Sequence, residues 1–446
     1  MPKRLFLFAA AAVLAACETT GGPAPIEDRR PVVVRPPLPN DTTPAGTDDT
    51  VVQDDDPVEV VDVPPATDPV TRPGDAPQLR PGITPAHLAG QPLNRLALLL
   101  PLSSGNDRLR LEAQSMLQAA QLALFDGSEP TTVLVVEDTG GTASGAKAAT
   151  ERAIAKGADV ILGPVLANNV EAVAREARRK SIPVVAFSTD TDVAGRGTYL
   201  LSFPPEAEVE RVVQYAAGTG VTEFAILRPD NDYGQRAARA YESAVARNGG
   251  RVVASETYGR GGVSAMQEPA RRLAEFHQRG EQASGGRGKQ AFEAILLPEG
   301  GTDLRSVAPL LPFYSSTVSR VQYLGTALWM REDTAREPAL RGGLFAGPDM
   351  DAREGFERSY ERAWGVEPSR LASLAFDAVA IGATVADGDP RLRANRLEDP
   401  SGFYGADGFV SFSFDGQPRR GLAVYEVTGG NFRVVDPAPR GAVGRN

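Results

Sequence analysis

The residues whose types and spacing can do chemistry fall at the ends of apolar runs. Ser188-Thr189-Asp190 closes the run Pro183 to Phe187, and Gly163 to Asn169, with Leu166, Ala167 and Asn168, follows the run Asp159 to Leu162. In open parallel sheets ligands sit outside the carboxyl ends of the strands, so the chemistry on offer there is binding rather than bond-making. Catalytic or zinc-type histidine chemistry is poorly supplied. His87 lies in a Pro-rich stretch and His277 on a polar helix, and both read as solvated side chains. Gly140 to Lys147, GGTASGAK, imitates a phosphate-binding loop, but Ala146 separates Gly145 from Lys147, and that motif needs Lys directly after Gly and then Ser or Thr. Glu137-Asp138 and Glu299 end different strands and form no pair about a common bond. No nucleophile elbow occurs either. The residues therefore predict no enzyme, no cofactor and no metal. A formal charge of −10 and a pI near 5.1 argue against nucleic acid as a partner.

The elements that must position these residues alternate between strand and helix. Within Gly157 to Asp190, Gly163-Pro164 stops one short strand, a helix follows, and Pro183 to Phe187 is the next strand. Asn168 and Glu171 have the form of a capping box, and Val170, Val173, Ala174 and Ala177 recur at helical spacing. A helical crossover of this length joins parallel strands. Upstream, Arg95 to Leu100 reads as a strand, Leu102 to Asn106 as its loop with Ser103 and Ser104, and Asp107 to Phe125 as a helix. Strands at Thr132 to Val136, Phe224 to Leu227, Arg251 to Glu256 and Phe292 to Leu297, with a helix at Gly234 to Arg247, extend the plan. The fold class is α/β, doubly wound, in a body too long for one small sheet.

The first 93 residues have another character. Lys3 and Arg4, the apolar run Leu5 to Val13 and the small residues up to Cys17 form a targeting segment over residues 1–17, too short in its apolar part to span a bilayer. Leu14-Ala15-Ala16-Cys17 resembles the lipobox of bacterial lipoproteins, which implies lipidation of Cys17 and attachment to a membrane through the N-terminal lipid. Cys17 is the single cysteine, so no disulfide forms within the chain. Glu18 is not the Asp associated with inner-membrane retention, which favours the outer membrane over the inner. Residues 18–93 read as a disordered tether rich in Pro and Asp; up to residue 92 it carries 13 acidic and 5 basic residues. Such a segment spans on the order of 50 Å as a flexible coil and roughly 230 Å as polyproline II.

The ordered set LLLPLSSG, VVEDTGGTASGAKAA, GADVILGP, IPVVAFSTD and LRPDNDYG, followed near the C-terminus by GFYGADGFVSFSFDGQPRRGLAVYEV, resembles the type I periplasmic binding proteins of the leucine-binding-protein superfamily over residues 94–440. The resemblance implies two α/β lobes joined by three crossover strands around a ligand cleft. Lobe one would take about 94–203 and 340–400, and lobe two about 204–339 and 401–440. Phe203-Pro204-Pro205 suits the first crossing, because prolines force an extended path. Family members that bind amino acids hold the carboxylate and amine through hydroxyls and backbone groups after the Gly-Pro strand and after the fourth strand. Here Val165, Leu166 and Ala167 carry no hydroxyl, Ser188 and Thr189 remain, and Asp190 falls where the family usually has Thr; its carboxylate would repel that of an amino acid. The alignment also places Tyr233, Glu299, Thr326 and Trp329 at the cleft, Glu299 to receive an amine, with ordinary packing as the alternative role for Tyr233 and Trp329.

Anchor, tether and altered cleft together resemble a branch of outer-membrane lipoproteins that activate penicillin-binding proteins, the peptidoglycan synthases. In place of that branch's N-terminal helical repeat domain stands the tether. Two functions follow: an activator whose partner is a peptidoglycan synthase, or the solute-binding subunit of an ABC importer, whose partners are a permease and a small-molecule ligand such as an amino acid. Both place the protein at the periplasmic face of a bacterial membrane.

Overall fold

The computed structural model describes residues 91–127, 131–285 and 290–441, all within one compact unit. The targeting segment, Cys17, His87 and the tether up to residue 90 lie outside the described residues. Strands β1 (Asn94–Leu100), β2 (Thr132–Asp138), β3 (Val160–Leu162), β4 (Val184–Ala186) and β5 (Thr198–Leu200) form a parallel sheet in the order β2-β1-β3-β4-β5. β1 is apolar almost throughout because both its faces are covered. Leu96, Leu98 and Leu100 pack on one side, Ala97 and Leu99 on the other, as alternation along a strand requires. Helix α1 (Asp107–Gly127) covers the first side, and α2 (Ala143–Ala155) and α3 (Ala167–Arg178) the second.

The second sheet has seven strands. β6 (Glu223–Pro229), β7 (Arg251–Tyr258), β8 (Ala294–Leu296), β9 (Gln322–Gly325) and β10 (Leu344–Gly347) run parallel, and β14 (Ala423–Val427) and β15 (Phe432–Asp436) add antiparallel at one edge. Helices α4 (Pro205–Gly218) and α5 (Asp232–Arg247) cover one face. The other is covered by α6 (Val263–Ala283) and the short α7 (Gly301–Val307) and α8 (Leu310–Tyr314); α9 (Glu332–Ala335) packs beside α7. Helices α10 (Met350–Trp364) and α11 (Ala372–Ala386) return to the first sheet, with α12 (Arg393–Leu397) beside α11. A small antiparallel sheet of β11 (Phe403–Gly405), β12 (Gly408–Phe412) and β13 (Pro418–Arg420) joins the same core through Val410 and Phe412.

The chain thus crosses between lobes at Leu201 to Pro204, at Pro348-Asp349 and at Gly421-Leu422. The later two crossings fall after the expected boundaries near 340 and 400. Leu344–Gly347 first completes the parallel core of the second sheet, and residues 403–420 stay with lobe one because Phe412 packs edge-on against Tyr199 at 5.7 Å. Two local readings also need correction. Helix α3 begins at Ala167, so Asn168 lies inside its first turn, and the cap residue Leu166 offers no side-chain bond. His277 is fully buried, set against Phe292 at 4.6 Å with Nδ1 3.0 Å from Thr317 Oγ1. Its neighbours on α6 are polar, yet the ring points to the sheet side with Leu273 and Ala274.

The interlobe cleft as candidate functional site

The cleft is lined where parallel strands end, because there helix N-termini and loop amides converge. On lobe one, Ser103 donates its amide to Asp138 Oδ1 (3.2 Å), and Gly140 donates to the same oxygen (2.8 Å). Burial by itself would raise the Asp138 carboxyl; the Ser103 hydroxyl and the amides of Gly140, Ser103 and Leu102 outweigh it and hold the group below its ordinary value. Ser104 is buried and accepts the Asn106 amide on Oγ at 3.3 Å.

The other first-lobe positions are bound up internally. Ser188 Oγ accepts the amide of Asp190 (3.1 Å), and Asp190 Oδ1 caps a single 3-10 turn by accepting the amide of Asp192 (3.1 Å). The carbonyl of Thr189 accepts a hydrogen bond from Arg236 Nη2 at 2.6 Å. Arg236 belongs to α5 of the opposite lobe and is held by both oxygens of Glu206 at 2.8 Å each. This paired fork makes Arg236 a fixed strut between the lobes rather than a loose surface cation. Nothing in the sequence singled out Arg236 or Glu206, since they are 30 residues apart and each reads as an exposed helix charge.

Lobe two presents a different wall. Asn231 caps α5 through the amide of Gly234 (2.8 Å), which sets Tyr233 in the first turn with its hydroxyl 2.8 Å from Thr326 Oγ1. Glu299, after β8, accepts the Tyr258 hydroxyl at 2.8 Å and the Gly300 amide at 3.0 Å. Burial raises the Glu299 carboxyl, and the two donors offset this only in part. Burial likewise raises the phenols of Tyr233 and Tyr258, which stay neutral; the charges of Glu208 and Glu299 both act on Tyr233. Glu208, in the first turn of α4, escaped sequence reading. It is 2% exposed, accepts the Ala327 amide on Oε2 (3.1 Å), and is pushed up to about 7 by burial, with Arg370 of lobe one as its opposing charge.

Trp329 belongs to the core and not to the cleft. Its ring is fully buried, its Nε1 donates to the Leu297 carbonyl (3.2 Å), and a Cβ on Gly325 would lie 2.1 Å from the indole. The Gly325 position is glycine because the indole occupies that space. Leu166 and Ala167 open α3 with backbone but no side-chain donor, and Asn168 is an exposed first-turn residue.

Comparison with known proteins agrees with this architecture. Residues 95–276 match the family described as periplasmic binding protein. The structure resembles one described as a branched-chain amino acid ABC transporter from Rhodospirillum rubrum (TM-score 0.65, 19% identity, 77% of this chain and all of that one). It also resembles an ABC transporter substrate-binding protein from Sphaerobacter thermophilus (TM-score 0.59, 19% identity, 78% and 98% covered). The body therefore has the type I periplasmic binding protein fold. Among relatives by sequence is the penicillin-binding protein activator LpoA of Vibrio antiquarius (strain Ex25), 24% identical over 235 residues. The match covers 49% of this chain and 38% of that protein, so the chain spans well under half the relative's length.

Proposed function

We propose that the protein is a membrane-anchored periplasmic activator of a peptidoglycan synthase of the penicillin-binding kind, reusing a solute-binding fold as an interaction body. One observation carries this reading: after the fourth strand of lobe one, the amides of Asp190 and Asp192, donors able to hold a ligand carboxylate, are spent on Ser188 Oγ and Asp190 Oδ1. Asp190 adds a carboxylate of its own there, and Val165 to Ala167 supply no hydroxyl. The relation to the Vibrio activator supports the same conclusion. The Pro- and Asp-rich stretch 18–93 supplies reach from the membrane to the synthase. A second reading, the solute-binding subunit of an ABC importer, is favoured by Tyr233, Tyr258 and Glu299, a wall able to receive an amine.

Thermal melting separates the two. A ligand bound only by the native state adds RT ln(1 + [L]/Kd), roughly 2.7 kcal/mol at a hundredfold excess over Kd. Leucine, isoleucine and valine are expected to leave Tm unchanged at millimolar concentration. In cells, deleting most of residues 18–93 is expected to abolish activation of cell-wall synthesis while the isolated body still folds and binds the synthase. Micromolar leucine binding, together with normal cell-wall synthesis after the deletion, would overturn the activator reading in favour of import.

Anchoring has its own test. Cys17→Ala is expected to move the protein from the membrane fraction to the soluble periplasmic fraction nearly completely, since among the described residues no helix is long and apolar enough to cross a membrane. Retention of the variant in salt-washed membranes would sink the lipid anchor.

A further inference from the structure

The three crossings converge on a buried charged cluster that the cleft does not use. Arg420, at the end of β13 just before the third crossing, donates through Nε to the carbonyl of Ser202 in the first crossing (3.0 Å). Its guanidinium lies 4.0 Å above the Phe203 ring. Arg353, just after the second crossing, donates from Nη1 to Asp407 Oδ1 and from Nε to Glu357, each at 2.8 Å, and also reaches Ser373. Asp377, the one charged residue of the apolar helix α11, accepts the Ala406 amide on Oδ1 at 2.6 Å. Arg420 Nη1 and Nη2, Asp377 Oδ2 and Asp407 Oδ2 are buried and have no hydrogen-bond partner among the described residues. Two donors and two acceptors of opposite charge, buried at the same crossings yet unbonded, call for an explanation. The arrangement fits one of two states of a switch.

We propose that this cluster is a proton-operated latch on the hinge between the lobes. With Asp377 protonated, Arg420 ties the third crossing to the first through Ser202 and Phe203. When Asp377 releases its proton to solvent, Arg420 turns its fork toward the Asp377 and Asp407 carboxylates and lets go of Ser202, and the angle between the lobes changes. The unpaired fork of Arg420 favours the exchange. Arg353 is already shared between Asp407 and Glu357, whereas the fork of Arg420 meets no carboxylate and rests on the Phe203 ring face; an ionised Asp377 gives that fork an anion. Burial and the Asp407 charge raise the Asp377 carboxyl; Arg420 and the amides of Ala406 and Asp407 oppose them without cancelling them. Arg353 acts through Asp407, with Glu357 behind it.

The test is an interlobe distance distribution from nitroxides at Glu171→Cys on α3 and Glu242→Cys on α5, in the full chain with Cys17→Ser. Between pH 5.5 and 8.5 the main distance is expected to shift. Asp377→Asn is expected to show the pH 5.5 distribution at both values, and Arg420→Gln to lose the shift as well; should one variant fail to fold, the other decides. A distribution that ignores pH overturns the latch and leaves a static water bridge as the account of the orphaned atoms. A shift that survives in either variant overturns it too.

Discussion

Replacing Asp407 with alanine is expected to destabilise the body by about 3–5 kcal/mol, the cost of stranding a buried charge whose partner has been removed. Asp407 is fully buried, and its Oδ1 holds Arg353 at 2.8 Å, while the Arg353 side chain is only 17% exposed. Burial pulls the Arg353 guanidinium down, and Asp407 with Glu357 more than restores it, so the loss of Asp407 leaves desolvation unopposed on that side. Urea unfolding should show the midpoint falling steeply for Asp407→Ala and less for Asp407→Asn, which keeps an acceptor. The control is Arg433→Ala, which breaks the surface pair with Glu426 and should cost under about 1 kcal/mol. Equal losses for Asp407→Ala and Arg433→Ala would mean that the cluster at the crossings contributes nothing special.

The second large effect is a pH dependence centred on Glu208. Burial pushes its carboxyl from 4.5 up to about 7. A group raised in the folded state contributes stability that is fully present below its unfolded value and is lost as pH rises through the folded one. Between pH about 4.5 and 7 the parent protein should therefore lose roughly 3 kcal/mol through this group and then level off. Glu208→Gln keeps an oxygen for the Ala327 amide and removes the titration. It is expected to be more stable than the parent at pH 8 by up to that amount, and equal to it near pH 4.5. Urea titrations of both proteins at four pH values decide the matter; parallel curves would show that Glu208 is solvated enough to ionise freely.

The alternation of strand and helix was legible because it is written locally. Leu96 to Leu100, Val160 to Leu162 and Val184 to Ala186 are short apolar runs closed by Pro, Gly or polar residues, and the helices between them repeat Ala and Val at turn spacing. Parallel pairing follows from crossovers of that length, and with it the place of the cleft at the strand ends. The loops expected there, Ser103-Ser104, Ser188 to Asp190 and Glu299, do follow their strands.

What each polar group in those loops does was decided only by tertiary structure. Asp190 reads as a carboxylate facing a ligand but caps a turn two residues on; Trp329, open in the sequence between cleft and core, fills the space left by Gly325. Whether a side chain meets solvent, a ligand or another chain segment depends on elements far away in sequence, and local periodicity carries no record of them. Arg236 meets Thr189 across 47 residues, Arg420 meets Ser202 across 218, and Asp407 meets Arg353 across 54. By itself the sequence determined an alternating α/β body too long for one small sheet, with polar loops at the strand ends, because apolar runs and turn residues are enough for that; the two lobes and the cleft were implied by the family resemblance. The occupation of the lobe-one wall by the protein's own groups, and the charged cluster at the crossings, arose only when folding brought those distant charges out of water together, where each had to find a partner or give up its charge.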